Sequence, residues 1–216
     1  MGSYIDWSKT TKSSSYRGSG SFSTFMIIGP TCFFLGILFA SFPYDFPLLW
    51  SKEPVPASYY DQIETHLKFI HQSPPLIGRM LNIIVSVGFL GLFIKLFRPS
   101  EANFLFDGAS LILYTIGVAV YITNIVKGLR TMSSGYFDSD DFKNAKSRFD
   151  GEVILGREDS LRVLSASNTI LALVLIGVLV LQAGQWYAEK RDSDDEAALA
   201  AKKDTPASKA ATKKKQ

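Results

Sequence analysis

The sequence predicts an all-α membrane protein built as a bundle of four transmembrane helices, and three observations predict it. The chain is 47% hydrophobic, which is ordinary for a soluble protein, but its charges crowd into the two ends and two long loops. Four long apolar runs lie between these charged regions. The last run, Val163–Tyr187, has twenty-five residues without a charged side chain. As a helix it is about 37 Å long, which exceeds the roughly 30 Å of bilayer hydrocarbon.

The apolar runs define the domain organisation. A flexible N-terminal segment, residues 1–21, precedes a transmembrane domain, residues 22–187, and a charged tail follows at 188–216. The predicted spans are 22–42, 76–97, 108–126 and 163–187. Two longer loops, 43–75 and 127–162, then lie on the same side of the membrane.

The first span is predicted to be an uncleaved anchor. It contains no charge and follows three basic residues. The apolar region of a cleaved signal peptide has only about 7–15 residues, and this run is longer. Two prolines bracket the segment after the span, and Pro43, Tyr44 and Asp45 are predicted to form a turn that ends the helix.

The loop after the first span is predicted to contain a short helix. Ile63, Leu67 and Ile70 fall on one face at helical spacing, which predicts a helix that lies on the membrane surface.

The second span has basic residues near both ends. Arg79 and Lys95 have long side chains, which we expect to snorkel to the interface. Pro99 ends this helix, and a short connection leads to Asp107.

The spans carry no acidic or basic residue at mid-depth, which argues against a coupled transporter. Such a charge costs at least about 2.5 kcal/mol and marks an ion path. His66 and His71 do not have the four-residue spacing of two metal ligands on one helix face. No catalytic constellation is recognisable, so we expect no enzyme activity, no cofactor and no metal. The net charge of +3 is too small to argue for nucleic acid.

The tail is predicted to hold a short Ala-rich helix up to Lys203 and to be disordered from Asp204 onwards. Lys213 and Lys214 stand four and three residues from the end of the sequence. This is the pattern that coat proteins read as an ER-retrieval signal on cytosolic tails.

Four spans place both termini on one side of the membrane. The two ends and the 95–107 connection hold 13 Lys and Arg, and the two long loops with Arg79 hold the other 10 of the 23. The positive-inside rule therefore favours cytosolic termini and lumenal long loops. The first span agrees, because basic residues precede it and Asp45 follows it.

Short motifs in all four spans resemble those of one family. They are FPYD at 42–45, KLFRP at 95–99, YITN at 121–124, SN at 167–168 and LQAGQWY at 181–187. In order and spacing, residues 22–190 resemble the fungal Shr-type packaging chaperones of the ER membrane.

The resemblance implies a function. The protein would be a multi-pass chaperone of the ER membrane that assists the folding of newly made amino-acid permeases and prevents their aggregation. Its cytosolic tail would bring these clients to vesicle-coat components and so promote their packaging into transport vesicles for ER exit. The chaperone itself would stay in the ER.

Client helices would be held by small residues that allow close approach and by uncharged groups that form hydrogen bonds. The candidate residues are Gly36, Gly88, Gly91, Thr123, Asn124, Ser167, Asn168 and Gln182.

Two alternatives differ in class. One is a four-span scaffold of the tetraspanin or claudin sort, but those families share lumenal cysteines, and residues 43–75 contain none. The other is a small channel or transporter subunit, which the absence of a mid-membrane charge disfavours.

Overall fold

The computed structural model describes residues 19–97, 101–135, 137 and 156–204. Six helices, numbered here in chain order, lie in these ranges: α1 Ser19–Trp50, α2 Ala57–His71, α3 Pro75–Leu96, α4 Glu101–Val120, α5 Lys127–Ser133 and α6 Arg157–Asp204. A π-helical segment, Tyr121–Val126, joins α4 to α5 without a break. The described residues contain no β-strand.

Four helical stretches in the described part of the chain are long and apolar enough to cross a bilayer. They are Phe22–Trp50, Pro75–Leu96, Phe104–Ser133 and Arg157–Ala201. The third stretch combines α4, the π-helical segment and α5. The predicted fold class, an all-α membrane protein with four transmembrane helices, is confirmed.

The four spans form a ring in which α1 packs against α3 and α6, and α4 packs against the same two helices. We call the end where α1 begins and α6 leaves the bundle the terminal end. The opposite end, where α2 packs on α5 and α6, is the loop end.

Close contact between the helices requires glycine at two positions of α3. A Cβ atom on Gly88 would lie 2.2 Å from the hydroxyl of Tyr114, and one on Gly91 would lie 2.8 Å from Cβ of Met26. Both distances are shorter than real Cβ contacts, so α4 and α1 can approach α3 this closely only at residues without a side chain. Tyr114 is buried there and donates a hydrogen bond to the carbonyl of Val85 at 3.2 Å.

The turn predicted at Pro43, Tyr44 and Asp45 is wrong, because α1 stays helical through these residues and through Pro47 to Trp50. A proline inside a helix removes one backbone hydrogen bond, but transmembrane helices tolerate this where neighbouring groups compensate. The hydroxyl of Tyr59 on α2 donates a hydrogen bond to the carbonyl of Tyr44 at 3.0 Å, which links α2 to this part of α1.

The last helix differs from its prediction at both ends. α6 begins at Arg157, before the predicted span, and continues past Tyr187 as one 48-residue helix to Asp204. The segment 188–204 contains no Gly or Pro and is rich in Ala and Lys, so no helix-breaking residue interrupts α6 after the membrane. Residues 205–216, with Lys213 and Lys214, lie outside the described residues.

The short helix predicted in the first loop is present as α2, but its apolar face packs mainly on protein. Ile63 is buried in a cluster with Leu48, Tyr60, Met132 and Leu161, which joins α2 to α1, α5 and α6. In contrast, 42% of Ile70 is exposed. The stripe that we expected on the membrane surface therefore anchors α2 to the bundle.

Polar contacts hold α2 in the same place. Arg157 forms ion pairs with Asp61 and with Glu64, the latter at 3.4 Å. Arg162 donates a hydrogen bond to the hydroxyl of Tyr60 at 2.8 Å. α2 and the start of α6 thus form one cap over the loop end.

Candidate functional site

An apolar groove runs between α1 and α6 on the outside of the bundle, with a volume of about 330 Å³. Its apolar lining comes from both helices: Leu35, Leu38, Phe39 and Phe42 from α1, and Ala172, Leu173 and Ile176 from α6. Phe39 and Leu173 are 79% and 63% exposed and form the rims. An apolar side chain of another molecule that enters this groove contacts both helices.

The groove ends, towards the loop end, at two polar residues. Asp45 lies on the same face of α1 as Leu38 and Phe42, because these residues are spaced by three and four. Its carboxylate accepts a hydrogen bond from Nδ2 of Asn168 at 2.9 Å, and Ser165 donates a second one. Only 8% of Asp45 is exposed. The groove thus combines apolar walls with a hydrogen-bond acceptor at one end.

A smaller cavity of about 40 Å³ lies on the other side of Asp45 and Asn168, under α2. Its lining includes Tyr44 and His66, whose rings stack at 4.3 Å. Nearby, burial raises the pKa of the Tyr59 hydroxyl above its usual 10.0, and the negative charge of Asp45 raises it further. The field of Asp45 therefore extends into the cap at the loop end.

A second polar site, which the sequence did not predict, lies inside the terminal end of the bundle. We call it the terminal-end network; it consists of Lys95 on α3, Asp107 and Ser110 on α4, and Gln182 and Gln185 on α6. All five residues are buried, and Asp107 is 0% exposed. The network joins three of the four spans.

Every polar hydrogen of the Lys95 ammonium has an acceptor in this network. Its Nζ lies 2.8 Å from the amide oxygens of both Gln182 and Gln185, and 3.2 Å from Oδ1 of Asp107. The amide nitrogens of the same glutamines donate to Oδ1 and Oδ2 of Asp107, both at 2.9 Å. Each glutamine therefore bridges the cation and the anion, and this fixes its orientation, since Lys only donates and a carboxylate only accepts.

The remaining donors in the network are also satisfied. Gln182 donates its second hydrogen to the hydroxyl of Ser110 at 3.1 Å, and Gln185 donates to Oε1 of Glu189 at 3.3 Å. Among the described residues, no buried side-chain nitrogen or oxygen atom lacks a hydrogen-bond partner. A network as complete as this stabilises one arrangement of the helices.

This site corrects two predictions. Lys95 was expected to snorkel to the interface, but only 7% of it is exposed and it points into the bundle. Asp107 was placed in a connection, but α4 begins at Glu101 and includes it. Two signals in the sequence indicate the site in retrospect: opposite charges on either side of a short connection, and two glutamines three residues apart on α6.

The eight residues predicted to contact clients fall into three groups. Gly88 and Gly91 are inside the bundle, where they allow the helices to pack, and Ser167 and Gln182 are also buried. Three residues face outwards from the bundle: Gly36, Thr123 and Asn124. Asn168 is half-buried and lines the groove beside Asp45.

Within the described part of the chain, no group of three His, Cys, Asp or Glu residues could hold a metal ion.

Comparison with protein families supports the resemblance seen in the motifs. The chain matches the Shr3 chaperone family, described as ER membrane protein SH3, over residues 18–216. The match includes every helix described above. Comparison with curated proteins and with solved structures gives no significant match. Since the family match leaves out only the first 17 of 216 residues, this four-span chain belongs to the Shr3 family of ER membrane chaperones.

Proposed function

We propose that this ER membrane chaperone acts on newly made amino-acid permeases: it assists their folding, prevents their aggregation and promotes their packaging into transport vesicles. The family match over residues 18–216 is the observation that carries the chaperone role. The choice of permeases as clients rests on the motif resemblance in the four spans.

The surface of the bundle supports this function. A permease helix with polar groups is unstable in lipid until its partner helices arrive, and exposed hydrogen-bonding groups on another helix can hold it meanwhile. Thr123 and Asn124 offer such exposed groups, half-buried Asn168 lies beside the groove, and exposed Gly36 allows close approach. A cluster of buried side chains around Leu92, Tyr114 and Val178 packs the bundle interior, which favours a protein that binds at its outer surface over a channel.

We propose that both termini are cytosolic, as the distribution of basic residues favours, so that α2 and the loop end of the bundle face the ER lumen. α6 then extends 17 residues beyond Tyr187, which carries the tail about 25 Å from the end of the predicted span. This distance supports access of soluble vesicle-coat components to the charged tail.

Deletion of the protein tests the function. In cells without it, we expect several amino-acid permeases to accumulate in the ER while a soluble secretory protein and an unrelated polytopic membrane protein are exported normally. Normal delivery of the permeases in the deletant would refute the client assignment.

A shortened tail separates the folding of clients from their packaging. A chain truncated after Asp204 should still prevent permease aggregation but slow the entry of permeases into vesicles, because the bundle is intact and the tail is shortened.

Replacement of Lys213 and Lys214 by serine tests the proposed retrieval signal: the chaperone should then escape to the Golgi, and unchanged ER residence would refute that signal.

A further inference from the structure

We propose that the groove between α1 and α6 binds a client transmembrane helix that carries a lysine or arginine, and that Asp45 pairs with this basic side chain. The inference deepens the proposed function and rests on it, because it names the chemistry of the segment that the chaperone holds.

Two buried carboxylates in the bundle have different surroundings. Asp107 is neutralised inside the chain, because Lys95 lies 3.2 Å away and two glutamine amides complete its shell. Among the described residues, the donors to Asp45 are the neutral side chains of Asn168 and Ser165. None of the ion pairs formed by the described residues includes Asp45.

Charged side chains within a membrane pair with each other or with other polar groups, because an isolated charge in lipid is costly. Asp107 follows this rule because it pairs with Lys95 of the same chain. Asp45 lines the open groove, where a cation from another molecule can approach it. The missing partner of Asp45 is therefore supplied by the occupant of the groove.

The depth of Asp45 favours a helix over a lipid headgroup. Asp45 lies five residues before Trp50 on α1, about 7.5 Å along the helix. Tryptophan is typical of the membrane–water interface, so Trp50 marks the level of the interface on α1. A headgroup amine stays at this level, whereas a basic side chain on a transmembrane helix can lie below it.

The walls of the groove fit the rest of such a helix. Leu38 and Ile176 offer apolar surface on either side, and Ala172 leaves room between them. The basic side chain then lies towards the loop end of the groove, and apolar side chains of the client fill the remainder.

A designed helix tests the inference without a permease. The probe is a single-span, leucine-rich helix with one lysine about 7 Å from its lumenal end; the control probe has leucine at this position. Each is expressed with the full-length chaperone in ER membranes and co-purified in mild detergent. We expect the lysine helix to be recovered about 3- to 20-fold better than the control, the range that corresponds to hydrogen bonds between membrane helices.

Variants of the chaperone locate the effect. Asp45→Asn keeps an acceptor for Asn168 and removes the charge, so the preference for lysine should vanish. Glu53→Gln removes an exposed charge beyond α1 and should leave the preference unchanged. Ala172→Phe should fill the groove and reduce capture of both probes, whereas Ala183→Phe, at an exposed position of the same helix, should not. The melting temperature of each variant in detergent shows whether it is folded.

The outcomes are distinct. Equal recovery of the two probes by the natural chain, or a lysine preference that survives in folded Asp45→Asn, overturns the inference. A photo-crosslinker at position 172 that captures phospholipid and no probe helix also overturns it. If the probes show no preference but deletion still traps permeases in the ER, the inference fails while the proposed function stands. Normal permease delivery in the deletant, in contrast, removes the proposed function.

Discussion

The ammonium of Lys95 lies 3.2 Å from the carboxylate of Asp107 inside the terminal end of the bundle, where both side chains are almost completely removed from solvent. The two residues belong to consecutive spans, and Gln182 and Gln185 of the last span hydrogen-bond to both. The ion pair and the two glutamines thus hold three helices together.

Loss of one partner of this pair should destabilise the bundle strongly. We expect Asp107→Ala to cost about 3–5 kcal/mol, because it leaves the Lys95 charge buried without an anion. The double variant with Lys95→Ala should be less destabilised than the sum of the two single variants, since neither charge remains. Thermal unfolding in detergent measures this coupling, with Asp195→Ala, an exposed acid on α6, as the control. Additive losses would show that the pair does not act as a unit.

Two glycines of α3, Gly88 and Gly91, should tolerate no side chain. Gly91→Ala places a methyl group 2.8 Å from Met26 and 2.9 Å from the backbone carbonyl of Ser23, so we expect a loss of about 1–3 kcal/mol. Gly36→Ala is the matched control, because nothing lies within 4 Å of its added atom. Melting temperatures of the two variants should differ clearly. A stable Gly91→Ala would contradict the packing of α1 on α3.

Asn124 and Asn168 should separate client capture from stability. Asn124→Leu removes an exposed amide and should leave the folded bundle unchanged, whereas Asn168→Leu deprives Asp45 of a donor and should cost about 1–3 kcal/mol. The double variant should still insert but retain less permease. Co-purification of a permease with each variant, normalised to the amount of inserted chaperone, measures this. Unchanged retention by the double variant would exclude both residues from the client surface.

Alkaline pH should reveal the charge of Asp45 through Tyr59. Burial and the negative charge of Asp45 raise the pKa of Tyr59 above 10.0 in the folded protein. The folded protein therefore holds this phenolic proton more tightly than the unfolded chain does, and the neutral phenol favours folding. This contribution is complete below pH 10 and decreases as the pH rises through the folded-state pKa. Replacing Asp45 with asparagine should lower that pKa, because a negative charge is removed. The phenolate absorbance of each chain, minus that of its Tyr59→Phe counterpart, isolates this one of nine tyrosines. Identical titration curves would show that no charge at Asp45 reaches Tyr59.

The sequence predicted the spans because their signal is local. Twenty or more uncharged residues identify a membrane helix without knowledge of its neighbours, and Val163–Tyr187 is such a run. The same local reasoning placed Lys95 at the interface and Asp107 in a connection. Only the antiparallel packing of α3 on α4 shows that these two side chains meet.

Tertiary packing also explains the other differences. Pro43 and Pro47 are signals that end a helix in water, but α1 continues through them as it packs along α3 and α6. The groove depends on the pairing of α1 with α6, which lie more than a hundred residues apart in the sequence, so no local pattern revealed it. Asn168 was selected from its residue type, and the structure adds its partner, Asp45.

Crosslinking in intact ER membranes, followed by identification of the attached proteins, tests the central claim most directly. We predict that newly made amino-acid permeases dominate the products, and that they are absent when a four-span protein of another family carries the same crosslinker. Products without permeases, or the same products from both proteins, would contradict the account.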